Sequence, residues 1–295
     1  MKFRKLASVF MVSALFLTGC QSTSGKSQKE ETTEKKPSVV AATVSGAQVL
    51  DKLDANVVGV PTTKMILPEK LKGLPEVGQA MSPDLEIVAS LEPDVFVMDN
   101  MFKEKVEESM KKYDLDTFYF DTSTYTNFLT SIEKLGAKIG QEKEATSVIN
   151  ELKDVEKEAV KNKKGEAPKV AIIFGGGENF MLATESSYLG DLVKTVGAKN
   201  ITNNLDTSVK SPYIQFSLEQ ILEQNPDYIL RFAHGEIEQT KKAFDSAFDK
   251  NPAYKELDAV KNNKVIDLDP SIFNVSANLQ VKEAIKTLGE TFYGK

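Results

Sequence analysis

Apolar, strand-like runs alternate with stretches of helical spacing along this chain, and they do so in two separate blocks. The strand-like runs lie at residues 39–44, 57–60, 95–98, 117–120, 169–174, 228–231 and 264–268. The helical stretches lie at residues 45–53, 84–91, 103–113, 127–139, 142–163, 187–196, 217–224 and 281–293. Strands that alternate with helices indicate α/β lobes with parallel sheets, so the predicted fold class is α/β.

The two blocks share a pattern of acidic residues and prolines. In the first block, Glu86 is followed seven residues later by a Pro-Asp pair at 93–94 and then by an apolar strand. In the second block, Glu219 is followed at the same separation by a Pro-Asp pair at 226–227 and an apolar strand. Proline between a helix and a strand is common in α/β proteins, so chance could supply one copy. Two copies with identical spacing predict two lobes that fold alike.

The stretch between the blocks is helical. Its second part, residues 142–163, has no glycine or proline before Gly165 and would form a helix about 30 Å long at about 1.5 Å per residue. Such a helix suits a rigid connection, with an ordinary surface helix as the alternative. We therefore predict two similar α/β lobes joined by a single long helix. The predicted segments are a signal peptide (1–19), a lipidated cysteine with a flexible tether (20–37), a first lobe (38–125), a connecting segment (126–164) and a second lobe (165–295).

The first twenty residues have the composition of an export signal. Basic residues open the chain, at Lys2, Arg4 and Lys5. An apolar run at 6–17 follows, too short to remain as a membrane span, and small residues then lead to Cys20, the single cysteine. This cysteine stands where a bacterial lipoprotein signal places the lipidated residue, and two acyl chains anchor a protein stably. We predict export and a lipid anchor at Cys20, with an ordinary secretion signal as the alternative.

Composition excludes several classes of site. Apart from Cys20 no thiol is present, which excludes disulfides, Cys-ligated zinc and iron–sulfur clusters. His234 is the only histidine, so no site can use two imidazoles. A formal net charge of −6 without a basic run makes nucleic acid a poor partner. The chain also lacks a G-x-S-x-G nucleophile motif, and no sequence argument pairs two of its carboxylates into a glycosidase site.

A few side chains could carry binding chemistry. His234 follows the apolar strand at 228–231, and ligands in open α/β sheets bind at the carboxyl ends of strands. A single histidine in this position is as often structural as it is a ligand. Met81, Met98 and Met181 are further candidates, and the sequence pattern does not choose among them because methionine commonly fills protein cores.

Several motifs together resemble a known family. They are Thr-Val at 43–44 with Leu-Asp-Lys-Leu at 50–53, Pro-Glu-Val-Gly-Gln-Ala-Met at 75–81, Leu-Ala-Thr at 182–184 with Tyr-Leu-Gly-Asp-Leu-Val-Lys at 188–194, Asn-Pro-Asp at 225–227, Leu-Arg at 230–231 and His-Gly at 234–235. With the lipoprotein signal and the two lobes, these motifs resemble the substrate-binding lipoproteins of iron-complex ABC importers, which take up siderophores, corrinoids and haem. The resemblance extends from about residue 39 to the end of the chain and is closest to haem-binding members.

The resemblance implies a haem site in the cleft between the lobes, with one thioether and one imidazole on opposite faces of the iron. Carried onto this sequence, the axial ligands are Met81 and His234, and both ligand types are established for haem iron. The implied candidates for the propionate and porphyrin pocket are Thr43, Val44, Ser45, Tyr213, Arg231 and Phe232. The start of a helix near Thr43 would offer backbone N–H groups to a propionate.

The resemblance also implies a function in transport. The chain would be a receptor of Gram-positive type on the outer face of the cell membrane, passing haem to an ABC permease. Glu86 and Glu219 match the surface carboxylates that dock on the permease in this family, with solvated carboxylates at helix starts as the alternative. Upstream cell-wall haem-relay proteins are possible partners.

A siderophore or corrinoid receptor of the same fold is the alternative function, and in it Arg, Lys and aromatic side chains would hold the ligand. A more distant alternative is an extracellular enzyme that reduces or degrades haem. It would need catalytic groups or a second cofactor site, and the sequence shows neither, so we predict a binding protein and not an enzyme.

Overall fold

The computed structural model describes residues 35–205 and 211–294. The predicted signal peptide, Cys20 and the tether as far as residue 34 lie outside these residues. No helix within the described ranges is long and apolar enough to cross a membrane.

The first half of the described chain is built on a parallel sheet. Its strands are β1 (Ser38–Ala41), β2 (Asn56–Gly59), β3 (Gly78–Gln79), β4 (Ser82–Pro83), β5 (Val95–Asp99) and β6 (Thr117–Phe120). Its helices are α1 (Val44–Lys52), α2 (Leu85–Ser90) and α3 (Lys103–Met110). Among the described residues, four strands pair in parallel in the order β2-β1-β5-β6, and β3 and β4 form a separate antiparallel hairpin. All residues of β5 are buried, as expected for a parallel strand covered on both faces.

Two helices connect this sheet to the second one: α4 (Tyr125–Lys138) and α5 (Glu142–Ala159). They pack closely at Gly136, where a Cβ atom would lie 2.4 Å from the Cβ of Ala145. The helix α5 ends four residues earlier than predicted, and beyond it Lys163 donates from Nζ to the carbonyl of Gly197 at 2.8 Å. A Cβ on Gly289, in the last helix, would lie 2.4 Å from the carbonyl oxygen of Ala159. The connecting helix is therefore packed on both sides.

The second half forms a mixed sheet. Its strands are β7 (Lys169–Gly176), β8 (Asn179–Ala183), β9 (Lys199–Asn200), β10 (Tyr213–Gln215), β11 (Tyr228–Ala233) and β12 (Val265–Asp267). Its helices are α6 (Tyr188–Thr195), α7 (Leu218–Gln224), α8 (Ile237–Lys250), α9 (Asp258–Lys261) and α10 (Val281–Tyr293). The strand order within the described residues is β10-β8-β7-β11-β12, with β9 beside β7. The strands β8 and β10 run antiparallel to their neighbours, and the other pairs are parallel.

Five of these elements escaped the sequence-based prediction, namely β8, β9, β10, α8 and α9. The strand β8 is half exposed, so it lacks a continuous apolar run. In α8 only Thr240 and Phe244 are buried, so the helical period of apolar residues is weak. The strand β8 and the helix α8 depend on neighbours that are distant in sequence, and local pattern alone could not reveal them.

The repeated Pro-Asp pair has the same structural role in both halves. The carboxylate of Asp94 accepts a hydrogen bond from the backbone N–H of Ser38 at 2.7 Å. The carboxylate of Asp227 accepts one from the backbone N–H of Lys169, also at 2.7 Å. Ser38 and Lys169 begin β1 and β7, which are the parallel neighbours of β5 and β11. Each aspartate thus satisfies the first N–H group of the adjacent strand, and the two halves are alike at this point.

A common apolar core joins the two sheets. One buried cluster contains Val39 and Val97 of the first sheet together with Ile172 and Leu230 of the second. A hydrogen bond also joins the connecting helix α4 to the second half: Thr126 donates from its backbone N–H to the carboxylate of Asp191 at 2.8 Å. The lobe boundaries given above remain a prediction, since both sheets belong to one compact unit that begins at residue 36.

Candidate functional site

A cavity of about 350 Å³ opens at the carboxyl edge of the first sheet. One wall is the start of α1, at Thr43, Val44 and Ser45. Ala80, in the turn between β3 and β4, and the loop at 274–280 also line the cavity. The cavity lies where strand ends and loops meet, which is the usual ligand position in an α/β fold.

The start of α1 is arranged to receive an anion. Thr43 is the N-cap residue, and its Oγ1 accepts a hydrogen bond from the backbone N–H of Gly46 at 3.1 Å. Thr43 is nearly buried, and Val44 and Ser45 are half-buried. The first N–H groups of a helix have no partner within the helix and carry a partial positive charge. The predicted propionate residues at 43–45 therefore line a cavity and can donate to a carboxylate.

Asp99 is the only ionisable residue among the described residues that line this cavity. Its Oδ2 accepts a hydrogen bond from the hydroxyl of Thr122 at 2.6 Å, and its Oδ1 accepts one from the N–H of Met101 at 2.9 Å. Burial raises the pKa of this carboxyl above its ordinary value. Since the described walls hold no lysine or arginine, neutral donors would have to bind an anionic ligand group here.

Met81 lies in the turn of the β3–β4 hairpin and is 60% exposed. The hairpin depends on Gly78, whose φ is +87°, a backbone conformation that favours glycine. Met98 is fully buried in the core and is therefore not available as a ligand, whereas Met181 is partly exposed on β8. Of the three candidate methionines, Met81 is the most exposed, and it follows Ala80, which lines the cavity.

Two further methionines were not singled out by the sequence. Met65 is 68% exposed and Met101 is 66% exposed, and both line the cavity directly. Met101 follows β5 by two residues, so its position after a strand end was the one local signal that could have marked it. The thioethers of Met65 and Met101 are therefore alternative candidates to Met81 as the ligand, and an experiment has to distinguish the three.

His234 is the first residue after β11 and is exposed. Its backbone N–H donates to the carbonyl of Gly175 at 2.9 Å, which holds the strand end in place. Its ring centroid lies 5.9 Å from that of Phe174. The ring of Phe174 in turn lies 4.6 Å from that of Tyr213, whose hydroxyl pKa is raised by burial, so Tyr213 remains a neutral donor.

Two predicted pocket residues need correction. Arg231 is 9% exposed, and its guanidinium donates to Asp267 at 2.6 and 2.9 Å and to Asp245 at 2.9 Å. The charge of Arg231 is already neutralised by these two carboxylates, so the side chain is structural and does not serve a propionate. Phe232 is 1% exposed and belongs to the core shared by the two sheets, so its ring cannot form an open pocket wall.

Glu86 and Glu219 occupy equivalent places in the two halves. Each lies in the first turn of a short helix, α2 or α7, and each is exposed. Asp84 caps α2 and Ser217 caps α7 through their side chains, so neither glutamate is needed as a cap. No hydrogen bond or ion pair within the described ranges occupies either carboxylate.

The structure thus forms two groups from the predicted residues. Thr43, Val44 and Ser45 share a cavity with the hairpin turn that carries Met81. His234 and Tyr213 share the aromatic group around Phe174. Neither His234 nor Met81 itself is among the cavity walls, so the structure does not join the two groups.

Comparison with known proteins gives a consistent set of relatives. A family model described as periplasmic binding protein matches residues 39–272. The High-affinity heme uptake system protein IsdE of Staphylococcus aureus (strain bovine RF122 / ET3-1) is 35% identical over 297 residues, which cover 99% of each chain. An ABC transporter substrate-binding protein from Listeria monocytogenes EGD-e is 34% identical in its crystal structure, with a TM-score of 0.77 over 88% of this chain and 100% of that one.

Structures with bound ligands are also similar. The crystal structure of S. aureus IsdE complexed with heme has a TM-score of 0.72 at 33% identity, over 88% of this chain and 100% of that one. The structure of S. aureus SirA complexed with staphyloferrin B has a TM-score of 0.71 at 25% identity, over 88% of this chain and 94% of that one. The predicted resemblance to substrate-binding proteins of ABC importers and the α/β fold class are confirmed. The chain is a binding protein rather than an enzyme, and it belongs to the periplasmic binding protein family.

Proposed function

We propose that this protein is a haem receptor that delivers haem to an ABC permease for iron acquisition. The observation that carries the proposal is its similarity, over nearly its whole length, to a heme uptake protein. In this proposal haem is the transported ligand, and the protein performs no reaction on it.

Met81 and His234 are the proposed axial ligands of the haem iron. Both side chains are exposed, and they lie on loops that follow strands or connect them in different halves of the chain. Thioether sulfur and imidazole nitrogen are both suitable axial ligands. A ligand from each half would allow a flat porphyrin to lie between the halves and contact both.

The start of α1 and Tyr213 are the proposed neutral partners of the propionates. The backbone N–H groups of Val44 and Ser45, at the start of the helix, can donate to an anion, and Tyr213 has a hydroxyl that stays protonated. Phe174 provides an aromatic surface beside His234 that suits a porphyrin face.

The alternative is a siderophore or corrinoid receptor, because a relative of the same fold is complexed with staphyloferrin B. Cationic side chains are the natural partners of an anionic siderophore complex. The described walls of the cavity have none, and the guanidinium of Arg231 is already paired. Because haem propionates are anionic as well, this lack of cations does not separate the two ligands, and the preference for haem rests on the similarity to a heme uptake protein.

A haem titration of the full chain, followed by absorbance, tests the proposal. We expect saturable one-to-one binding with a six-coordinate, low-spin spectrum. Met81→Ala should lose that spectrum, whereas Met65→Ala and Met101→Ala should retain it, because they are matched exposed thioethers. If Met65→Ala or Met101→Ala loses the spectrum and Met81→Ala keeps it, the methionine replaced in that control is the iron ligand and Met81 is not. Absence of specific haem binding would leave the siderophore or corrinoid alternative.

Glu86 and Glu219 are proposed to dock on the permease. Complementary charge across such an interface speeds encounter and sets orientation. We expect the double variant Glu86→Gln with Glu219→Gln to bind haem normally and to reduce haem uptake by cells about tenfold or more. The control is Glu104→Gln with Glu238→Gln, two exposed glutamates in the first turns of other helices. Normal haem uptake by cells with the double variant would show that Glu86 and Glu219 do not dock on the permease.

The location of the protein belongs to the same proposal. Residues 1–19 would be removed as a signal peptide, and Cys20 would carry the acyl chains that hold the receptor at the outer face of the membrane. Residues 20–37 would act as the tether, and upstream cell-wall haem-relay proteins would supply the ligand. A Cys20→Ala variant released into the medium, where the wild type stays with the membrane, would support the anchor.

A further inference from the structure

The loop at 274–280 lines the same cavity as the start of α1 and contains several neutral donors. Asn274, Ser276, Asn278 and Gln280 all line the cavity. This loop lies in the second half of the chain, directly before α10, and the sequence analysis assigned it no role. It therefore provides a wall of the cavity that is independent of the predicted iron ligands.

The amide of Asn278 has a defined orientation. Its Oδ1 accepts a hydrogen bond from the backbone N–H of Gln280 at 2.8 Å. With the oxygen engaged in this way, Nδ2 is the free end of the side chain, and no acceptor for it is present among the described residues. The residue lines the cavity and is half-buried, so this donor is partly shielded from water. Such a donor gains more from an acceptor with a negative charge than from a neutral one.

The loop is also fixed to the first half of the chain. The buried Ala277 donates from its backbone N–H to the carbonyl of Thr122 at 2.8 Å. The hydroxyl of Thr122 in turn donates to the carboxyl of Asp99 at 2.6 Å. The hydrogen bonds that Asp99 accepts come from Met101 and Thr122, and none comes from Asn278. The loop is thereby connected to Asp99, at the end of β5, which also lines the cavity.

We propose that Asn278 is a binding residue for a carboxylate of the ligand, with Nδ2 as a donor in addition to the start of α1. The inference rests on the proposed haem function. It adds to that function a residue of the second half that donates a hydrogen bond to a propionate of the porphyrin. The two walls then bind one carboxylate without any cationic side chain. Binding through this contact does not require iron.

The variant Asn278→Asp separates this role from a structural one. Aspartate keeps an oxygen that can accept from the N–H of Gln280, so the turn is retained, but it replaces the donor with a second acceptor. A carboxylate directed at another carboxylate repels it. Asn262→Asp is the matched control, because Asn262 is exposed, is outside the cavity walls and introduces the same charge.

The test measures binding of iron-free protoporphyrin IX and of its dimethyl ester to the full chain by fluorescence quenching. Neither probe has iron, so neither depends on Met81 or His234. We expect Asn278→Asp to weaken binding of the free acid about tenfold or more and to leave binding of the ester within about twofold of the wild type. Asn262→Asp should match the wild type with both probes.

Equal affinity of Asn278→Asp and the wild type for the free acid would overturn the inference. Equal weakening of the acid and the ester would also overturn it, because the effect would then concern the shape of the cavity. The proposed haem function is tested separately, by haem titration of the wild type. If the wild type binds haem specifically and Asn278→Asp binds protoporphyrin IX as the wild type does, the proposed haem function is retained and only the role of Asn278 is excluded.

Discussion

His234→Ala is expected to abolish the six-coordinate haem spectrum and to weaken haem binding at least about a hundredfold. Changes to groups that merely support a metal ligand already cost ten- to a hundredfold in affinity, so loss of the ligand itself should cost at least as much. No second imidazole can replace it, because His234 is the only histidine of the chain. The measurement is a haem titration followed by absorbance, with wild type and variant side by side.

Two controls make this result specific. His234 is exposed, so the variant should keep the thermal midpoint of the wild type. Free imidazole added to the variant should restore part of the six-coordinate spectrum, because it can occupy the vacated position on the iron. Unchanged affinity with an unchanged spectrum in His234→Ala would exclude this histidine as the ligand.

Gly190→Ala is expected to lower the free energy of unfolding by about 3 kcal/mol. A Cβ at this position in α6 would lie 1.8 Å from the carbonyl oxygen of Thr184, and this neighbour is backbone that cannot rotate away. The same turn is closed by Ser187, whose hydroxyl donates to the carbonyl of Thr184 at 2.7 Å and accepts from the N–H of Gly190 at 3.0 Å. Urea unfolding followed by circular dichroism measures the change, which corresponds to roughly 6–12 °C in the midpoint.

Gly176→Ala is the matched control for this substitution. A Cβ on Gly176 would meet nothing closer than the carbonyl oxygen of His234, at 3.8 Å, which is ordinary van der Waals contact. We expect its free energy of unfolding to stay within about 1 kcal/mol of the wild type. A Gly190→Ala variant as stable as this control would show that α6 is not held against Thr184 as the structure has it.

Periodicity made much of the fold predictable from the sequence. The parallel strands β5 and β6 contain continuous apolar runs, at 95–98 and 118–120, and α10 begins and ends at the predicted residues, 281 and 293. The repeated Pro-Asp pair was also a reliable sign, because Asp94 and Asp227 each satisfy the first N–H group of a neighbouring strand. Elements with a weak apolar period, such as α8, could not be found in this way.

The candidate site was predictable only in part, because exposure depends on contacts between distant residues. The sequence could not tell that Met98 is buried or that Met65 and Met101 line the cavity. Nor could it show that Arg231 is neutralised by Asp267, which is 36 residues away.

The sequence by itself determined the α/β class, the order of the strongly periodic strands and helices, and the presence of only one imidazole, since these follow from local periodicity and composition. Only the tertiary structure decided which side chains face the cavity. Residues 43–45 and 274–280 lie more than two hundred positions apart and meet because the two sheets share a core. Proximity of this kind arises from packing, which local pattern does not encode.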